Sequence, residues 1–143
     1  MPTYNFQRRF VEKILSGEKP HTIRRRRKHP TKVGDMLYMY TGLRTKQAFK
    51  FAEAPCIDVM PIDILPLEKR IMKTMSPTVS EWLSNDEIRR LACRDGFGGE
   101  YDAVDEFFHF FLTTYHDLYL EDFEIIWWNI NQLAVMEARD EVR

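Results

Sequence analysis

Apolar side chains near the start of the chain recur at the spacing of one helix face. They are Phe6, Phe10, Ile14 and Leu15. Gly17 follows this run, and a glycine just past the last apolar residue is typical of a helix end, because it enters the left-handed conformation without a Cβ clash. Pro20 then disfavours helical backbone at the residue before it. The pattern predicts a short helix ending at Gly17, with a strand beginning at residues 22–24.

Alternation of apolar and polar positions replaces the helical spacing further along the chain. Residues 36–41 are rich in aromatic residues that alternate in direction, which predicts a strand. Residues 46–54 alternate again and predict the returning strand of a hairpin. A third alternating run covers residues 56–64. We expect Pro55 to interrupt the chain before it and Pro61 to confine it to a sheet edge or a bulge, because proline has no N–H for the ladder.

Helical spacing returns in the second half of the chain. Ser84 and Glu87 form a predicted capping box, in which each side chain satisfies the backbone N–H of the other residue. The helix that starts there ends at residues 95–97, and a helix with core aromatics follows over residues 102–115. Residues 123–128 are extended in character. This order of elements predicts an α+β domain whose strands form a small barrel or a strongly curved sheet.

The length and composition indicate one domain over residues 1–143, with a helical insertion around 66–95 and a polar C-terminal tail over 131–143. A chain of 143 residues with 44% hydrophobic content can bury a substantial core. No apolar run approaches the roughly 18 residues of a membrane helix, and no signal-peptide pattern is present. We therefore expect a soluble cytoplasmic protein with no membrane partner. Cys56 and Cys93 are too few for a disulfide framework.

The net charge of −1 conceals a strong asymmetry along the chain. Residues 1–50 hold 13 Lys and Arg against 3 Asp and Glu, whereas the remainder holds 8 against 19. A basic region of this kind marks either a surface that meets polyanions or one that pairs internally with the acidic remainder. Composition leaves both alternatives open. The densest part, residues 24–28, is called the basic segment below, and residues 24–32 are predicted to be an exposed loop.

Short stretches spread over most of residues 10–128 carry a family resemblance. They are Ile14-Leu15-Ser16-Gly17-Glu18-Lys19 leading to Thr22-Ile23-Arg24, then Val33-Gly34-Asp35, then Asp95-Gly96-Phe97, and finally Ile125-Ile126-Trp127. Together they resemble an ASCH domain of the PUA-like superfamily. The resemblance implies a PUA-like β-barrel with flanking helices that binds RNA or a nucleotide in a cleft on the barrel.

The same resemblance implies candidate catalytic residues. Some small ASCH proteins are amidohydrolases that remove the acetyl group from N4-acetylcytidine with a lysine, a threonine and a glutamate. By position, Lys19 and Thr22 match the first two, and the glutamate falls at Asp95. Because aspartate is one methylene shorter, its carboxylate is expected to stand back from the other two. Alternatively, Lys19 and Arg24 contact phosphate, and Thr22 makes only a local hydrogen bond.

Nucleic-acid binding would use more of the basic region. Candidate phosphate contacts are Arg24, Arg25, Arg26, Arg27, Lys28, Lys32, Arg8 and Arg9. Tyr40 is the first candidate for stacking on a base, with Tyr38, Trp127 and Trp128 as further ones. Each of these aromatics lies on an alternating strand, so only one face of the strand is available to a ligand.

No cofactor or metal is predicted. Glu106 and His109 have the spacing of a di-iron motif, but the second copy that such sites need is absent. His21 is expected to face solvent. Three functions therefore follow from the sequence. The leading one is RNA or nucleotide binding in a cleft around Lys19, Thr22, Arg24 and Asp95. The alternatives are an amidohydrolase that acts on N4-acylated cytidines and a protein-interaction module whose basic face meets an acidic partner.

Overall fold

The computed structural model describes residues 2–136, which fold into strands and helices of an α+β domain. The helices are α1 (Arg8–Ser16), α2 (Asn85–Arg94) and α3 (Ala103–Tyr115), with a 3-10 turn at Ile130–Gln132. The strands are β1 (Thr3–Asn5), β2 (His21–Arg25), β3 (Met36–Thr41), β4 (Phe49–Leu65), β5 (Arg70–Ser76), β6 (Val79–Trp82), β7 (Leu120–Trp128) and β8 (Ala134–Val135). The predicted α+β class is confirmed.

All eight strands are organised around the long strand β4. Its first part pairs with β3 and β8, and β3 carries β1 as a parallel neighbour. Its second part pairs with β7 and β5, which carry β2 and β6 respectively. Strand β4 therefore belongs to two groups of strands and brings β1 and β2, from different ends of the sheet, to the same region as α1.

The two prolines of β4 mark changes of partner. Pro55 is the last β4 residue opposite β3, and Cys56 is the first opposite β7, so the strand continues through Pro55 where the sequence predicted an interruption. The strand continues because β7 pairs with β4 from Cys56 onwards, where the pairing with β3 ends. Pro61 lies opposite Glu124 on β7, and the pairing of β4 with β5 starts only at Ile62. Pro61 therefore lies where one side of β4 has no paired neighbour, as a strand proline requires.

Within residues 2–136 the strands do not close into a barrel. The path β1–β3–β4–β7–β2 ends at two strands that share no backbone ladder. Two arginine side chains, one on β2 and one just after it, reach β1 instead. Arg24 Nη2 donates to the carbonyl of Asn5 at 2.6 Å, and Arg27 Nη2 donates to the carbonyl of Thr3. The basic segment thus bridges the free edge of β1.

The helices cover the interior of the sheet with aromatic and aliphatic side chains. Helix α1 ends at Gly17, whose φ of 88° is left-handed as predicted. Its inward face holds Phe10 and Ile14, whereas Leu15, predicted to share that face, is 36% exposed. The predicted aromatic core of α3 is confirmed, with Phe107 and Phe111 buried and their rings 4.8 Å apart.

The insertion at 66–95 is helical only in its last part, so that prediction is wrong for residues 70–82. This stretch forms the antiparallel hairpin β5–β6, with the turn at residues 77–78, because Ile71 and its neighbours complete the pairing edge of β4. The capping box is confirmed: Ser84 accepts from the Glu87 N–H, and Glu87 accepts from the Ser84 N–H.

The first part of the predicted polar tail contains a short strand. Residues 134–135 form β8, and Val135 lies opposite Ala52 on β4. Residues 137–143 of that tail lie outside the described residues. None of the helices within residues 2–136 is long and apolar enough to cross a membrane.

Candidate functional site

Four predicted site residues meet at one cavity of about 210 Å³. Lys19 lies in the turn between α1 and β2, Thr22 and Arg24 lie on β2, and Asp95 caps the end of α2. The turn is fixed by Gly17, and the Lys19 N–H donates to the carbonyl of Lys13 at 2.9 Å. Residues separated by more than 70 positions in the sequence therefore share one small site.

Aromatic side chains form much of the cavity wall. Phe97 follows α2, and Phe110 and Tyr115 come from α3. The remaining lining residues are Asn5, Phe6, Gln7, Phe10, Ile23, Phe111 and Thr114. Sequence reasoning assigned the α3 aromatics to the core only. No local signal separates a core aromatic on α3 from one that lines a cavity, because both lie on the same apolar face.

Lys19 and Asp95 form a buried ion pair. Lys19 Nζ donates to Asp95 Oδ1 at 2.6 Å and to the Asp95 carbonyl at 2.6 Å, and their side chains are 4% and 7% exposed. The expectation that the shorter aspartate stands back from the lysine is therefore wrong. The end of α2 brings the backbone of residue 95 itself within hydrogen-bond distance of the amine, so a longer side chain is not needed.

Burial and the contact between Lys19 and Asp95 shift the pKa of each residue in opposite directions. Burial disfavours the charged Asp95, but Lys19 and the neighbouring His21 together outweigh it, and the pKa of Asp95 lies below its ordinary value of 3.8. Burial lowers the pKa of Lys19, and the Asp95 carboxylate opposes this change. Asp95 is thus ionised at neutral pH, and Lys19 supplies its compensating charge.

His21 is fully buried beside the same carboxylate, which corrects the expectation that it faces solvent. Its Nε2 lies 3.2 Å from Asp95 Oδ1, although the two are not aligned as a hydrogen bond, and its ring lies 4.5 Å from that of Trp127. Burial lowers the pKa of His21. His21 is buried because both faces of β2 are covered at its first three residues, so the alternation expected of a half-exposed strand does not apply.

The Thr22 hydroxyl forms a hydrogen bond with Arg24 rather than with Lys19. Arg24 Nε donates to Thr22 Oγ1 at 2.9 Å, and within residues 2–136 no hydrogen bond joins Thr22 to Lys19. A hydroxyl nucleophile needs a base within about 2.6–3.2 Å. The three candidate catalytic residues therefore share a cavity, but without a ligand the threonine and the lysine have separate partners.

The rest of the basic segment is exposed, as predicted. The guanidinium of Arg25 lies 5.3 Å from the ring centre of Phe123, and Arg26 Nε lies 4.0 Å from Glu124 Oε2. Lys28 makes no ion pair with any described residue. Arg24 departs from the predicted exposed loop because it lies on β2 and is partly buried.

The outlying basic candidates are also exposed. Arg8 and Lys32 make no ion pair within the described chain, and the guanidinium of Arg9 lies 4.5 Å from the ring centre of Phe10. Internal pairing with the acidic part of the chain, the alternative that the composition left open, thus accounts for little of this charge. Much of the basic surface is available to a partner.

The aromatic candidates differ in accessibility. Tyr40 and Tyr38 are half-buried on the outer face of β3, opposite the fully buried Leu37. Trp127 is half-buried, whereas Trp128 is only 1% exposed and packs edge-on against Phe6. Trp128 is therefore excluded as a platform for a base, and the other three are partly exposed.

Comparison of the chain with protein-family models, with curated proteins and with solved structures finds no match. The ASCH resemblance therefore rests on the sequence stretches quoted above.

Proposed function

We propose that this protein is a PUA-like ASCH domain that binds RNA or a nucleotide. The observation that carries the proposal is the convergence of Lys19, Thr22, Arg24 and Asp95 on one aromatic-lined cavity beside an exposed basic surface. The open path of strands from β1 to β2 would correspond to the PUA-like barrel, with the arginine bridges of Arg24 and Arg27 at its seam.

The size of the cavity suits one small group rather than a whole nucleotide. Pockets that bury a drug-sized ligand have about 300–1,000 Å³, and this one has about 210 Å³. Aromatic walls with a few polar groups are the surroundings in which a single-stranded base or a terminal group is bound. The remainder of a longer ligand would then lie outside, toward the basic segment.

The basic segment supplies the sequence-independent part of the proposed interaction. Arg25 and Lys28 have exposed cationic groups next to β2, and phosphate contacts of this kind give an affinity that falls with salt. Each phosphate contact on a single strand contributes about 0.7 to the slope of log affinity against log salt concentration.

This proposal is tested by titrating a short labelled single-stranded RNA at two salt concentrations and following fluorescence anisotropy. We expect binding at low salt. In the variant Arg25→Glu/Lys28→Glu, the salt slope should fall by about 0.7 for each phosphate that the protein no longer neutralises. The matched control is Lys73→Glu/Arg90→Glu, which makes the same change in net charge on the β5–α2 region.

Arg27 is left intact in both variants because its guanidinium bridges to Thr3. Absence of binding at low salt would contradict the proposal. Equal weakening by both double variants would also contradict it, because binding would then follow net charge rather than this surface.

An amidohydrolase is the second candidate, and the burial of Lys19 at the same cavity as Thr22 favours it. Burial lowers the pKa of Lys19, which moves the amine toward the neutral form that a base needs, and Thr22 lines the same cavity. In such a reaction the Thr22 hydroxyl would lose its proton to Lys19 as its oxygen attacks the acyl carbon. The bond from that carbon to the cytosine N4 would then break as Lys19 returns the proton to the leaving amine, and water would hydrolyse the threonine ester to release acetate. The pairing of Lys19 with Asp95 opposes this step, because it stabilises the ammonium.

Incubation with N4-acetylcytidine distinguishes the two candidates. Release of acetate and cytidine by the unmutated protein, and its loss in Thr22→Val, would assign the enzymatic function. Thr22→Val keeps the shape of the side chain and removes only the hydroxyl, so binding of the nucleoside should persist in that variant.

A further inference from the structure

Arg24 is a partly buried cation that forms no ion pair with a carboxylate of residues 2–136. Its guanidinium contacts only uncharged groups: Thr22 Oγ1, the Asn5 carbonyl, and the rings of Tyr4 and Phe6 at 5.4 and 4.9 Å from their centres. The cross-strand residue Glu124 lies within 4.0 Å of Arg26 instead. Arg24 thus differs from Lys19, whose charge is met by Asp95 at 2.6 Å.

The cavity therefore carries an excess positive charge. Three charged residues line it: Lys19, Arg24 and Asp95. Lys19 and Asp95 neutralise each other, so the positive charge of Arg24 remains. Removing a cation from water without an anionic partner is unfavourable, so proteins usually pair such a group with an anion. The guanidinium also has five N–H donors, and only its Nε and Nη2 have partners among the described residues.

We propose that the cavity binds the phosphate monoester of a nucleotide or of an RNA end, and that Arg24 pairs with this phosphate. This inference rests on the proposed function and specifies its ligand: a phosphorylated species is bound in preference to the neutral nucleoside. Arginine is well suited to this role, because its planar fork of donors matches two phosphate oxygens at once.

Neighbouring groups complete an anion site. The hydroxyl of Thr22 accepts from Arg24 and keeps its own proton to donate, and two further polar residues, Thr114 and Gln7, line the same cavity. The bridge from Arg24 to Asn5 holds the guanidinium at the junction of β1 and β2. The positive charge is thus positioned before any ligand arrives, which reduces the ordering cost of binding.

The test compares uridine, uridine 5′-monophosphate, uridine 3′-monophosphate and inorganic phosphate by isothermal titration calorimetry at one salt concentration. We expect at least one monophosphate to bind roughly 10- to 100-fold more tightly than uridine, as for a hydrogen bond to a charged group. In Arg24→Gln this advantage should be lost while the binding of uridine persists. Arg27→Gln is the matched control, since Arg27 also bridges to β1 but does not line the cavity.

Circular dichroism at rising temperature checks that Arg24→Gln and Arg27→Gln are folded. Equal binding of uridine and both monophosphates would overturn this inference while leaving the proposed function intact, and so would a phosphate advantage that survives Arg24→Gln. Binding of inorganic phosphate without any nucleotide or RNA binding would contradict both this inference and the proposed function. Binding of none of the four probes would overturn the inference.

Discussion

Replacing Asp95 with alanine is expected to lower the free energy of unfolding by about 3–5 kcal/mol, because the change leaves the buried ammonium of Lys19 without its carboxylate. Asp95 Oδ1 lies 2.6 Å from Lys19 Nζ, and both side chains are almost inaccessible to water. Urea unfolding at neutral pH measures the effect. The loss should exceed that of an exposed pair such as Arg89–Asp102, whose removal by Asp102→Asn keeps a helix-capping side chain and should cost about 1 kcal/mol or less.

A double-mutant cycle separates the ion pair from other effects of the substitution. Lys19→Met removes the other partner, and Lys19→Met/Asp95→Ala removes both. Because the double variant leaves no isolated charge of the pair, it should be more stable than Asp95→Ala alone. Strictly additive losses would contradict a direct interaction between the two residues.

The pH dependence of stability provides a second measurement on the same pair. The pKa of Asp95 is lower in the folded protein than its ordinary value of 3.8, so its contribution is present above that pH and is lost as the pH falls through the folded pKa. The unmutated protein should therefore lose more stability on acidification below about pH 4 than Asp95→Ala does. The same acid dependence in both proteins would show that Asp95 is not stabilised in its ionised form.

Gly96→Ala is expected to have the second large effect. Gly96 has a φ of 105°, and a Cβ at this position would lie 2.7 Å from Cδ1 of Phe10. The backbone conformation costs an alanine about 1–2 kcal/mol, and the forced movement of a packed ring adds about 1–3 kcal/mol. Phe10 lines the cavity and lies beneath the Lys19 amine, so the substitution should also weaken ligand binding.

Gly34→Ala is the control for that prediction. Gly34 has a φ of 97°, but nothing lies within 4 Å of the position of a new Cβ. Gly34→Ala therefore measures the cost of the backbone strain alone, without a close contact such as that of Gly96→Ala with Phe10. If Gly34→Ala and Gly96→Ala lower the free energy of unfolding equally, the close approach to Phe10 contributes nothing.

Local signals in the sequence predicted the elements that depend on neighbouring residues. Gly17 ends α1 because the left-handed conformation favours glycine, and the Ser84–Glu87 box starts α2 because both partners lie within one turn. The hairpin at 70–82 was missed because its stability comes from the edge of β4, which is distant in sequence. The same holds for Pro55, where the strand continues because its partner changes from β3 to β7.

The site shows the same division between local and long-range information. The resemblance in residues 14–24 and 95–97 identified Lys19, Thr22 and Asp95, which do share a cavity. The sequence placed Arg24 with these residues but did not indicate how it would be held there, because its partners are the Asn5 carbonyl on β1 and the rings of Tyr4 and Phe6. Nor could the burial of His21 be predicted, since it depends on coverage of both faces of β2.

Binding of RNA at this cavity and its basic surface is tested by titrating the isotopically labelled protein with a short single-stranded RNA and following the amide chemical shifts. We expect the largest changes at Thr22, Arg24 and Asp95 and in residues 25–28. Changes confined to the hairpin at 70–82, with the cavity amides unmoved at saturation, would contradict RNA binding at this site.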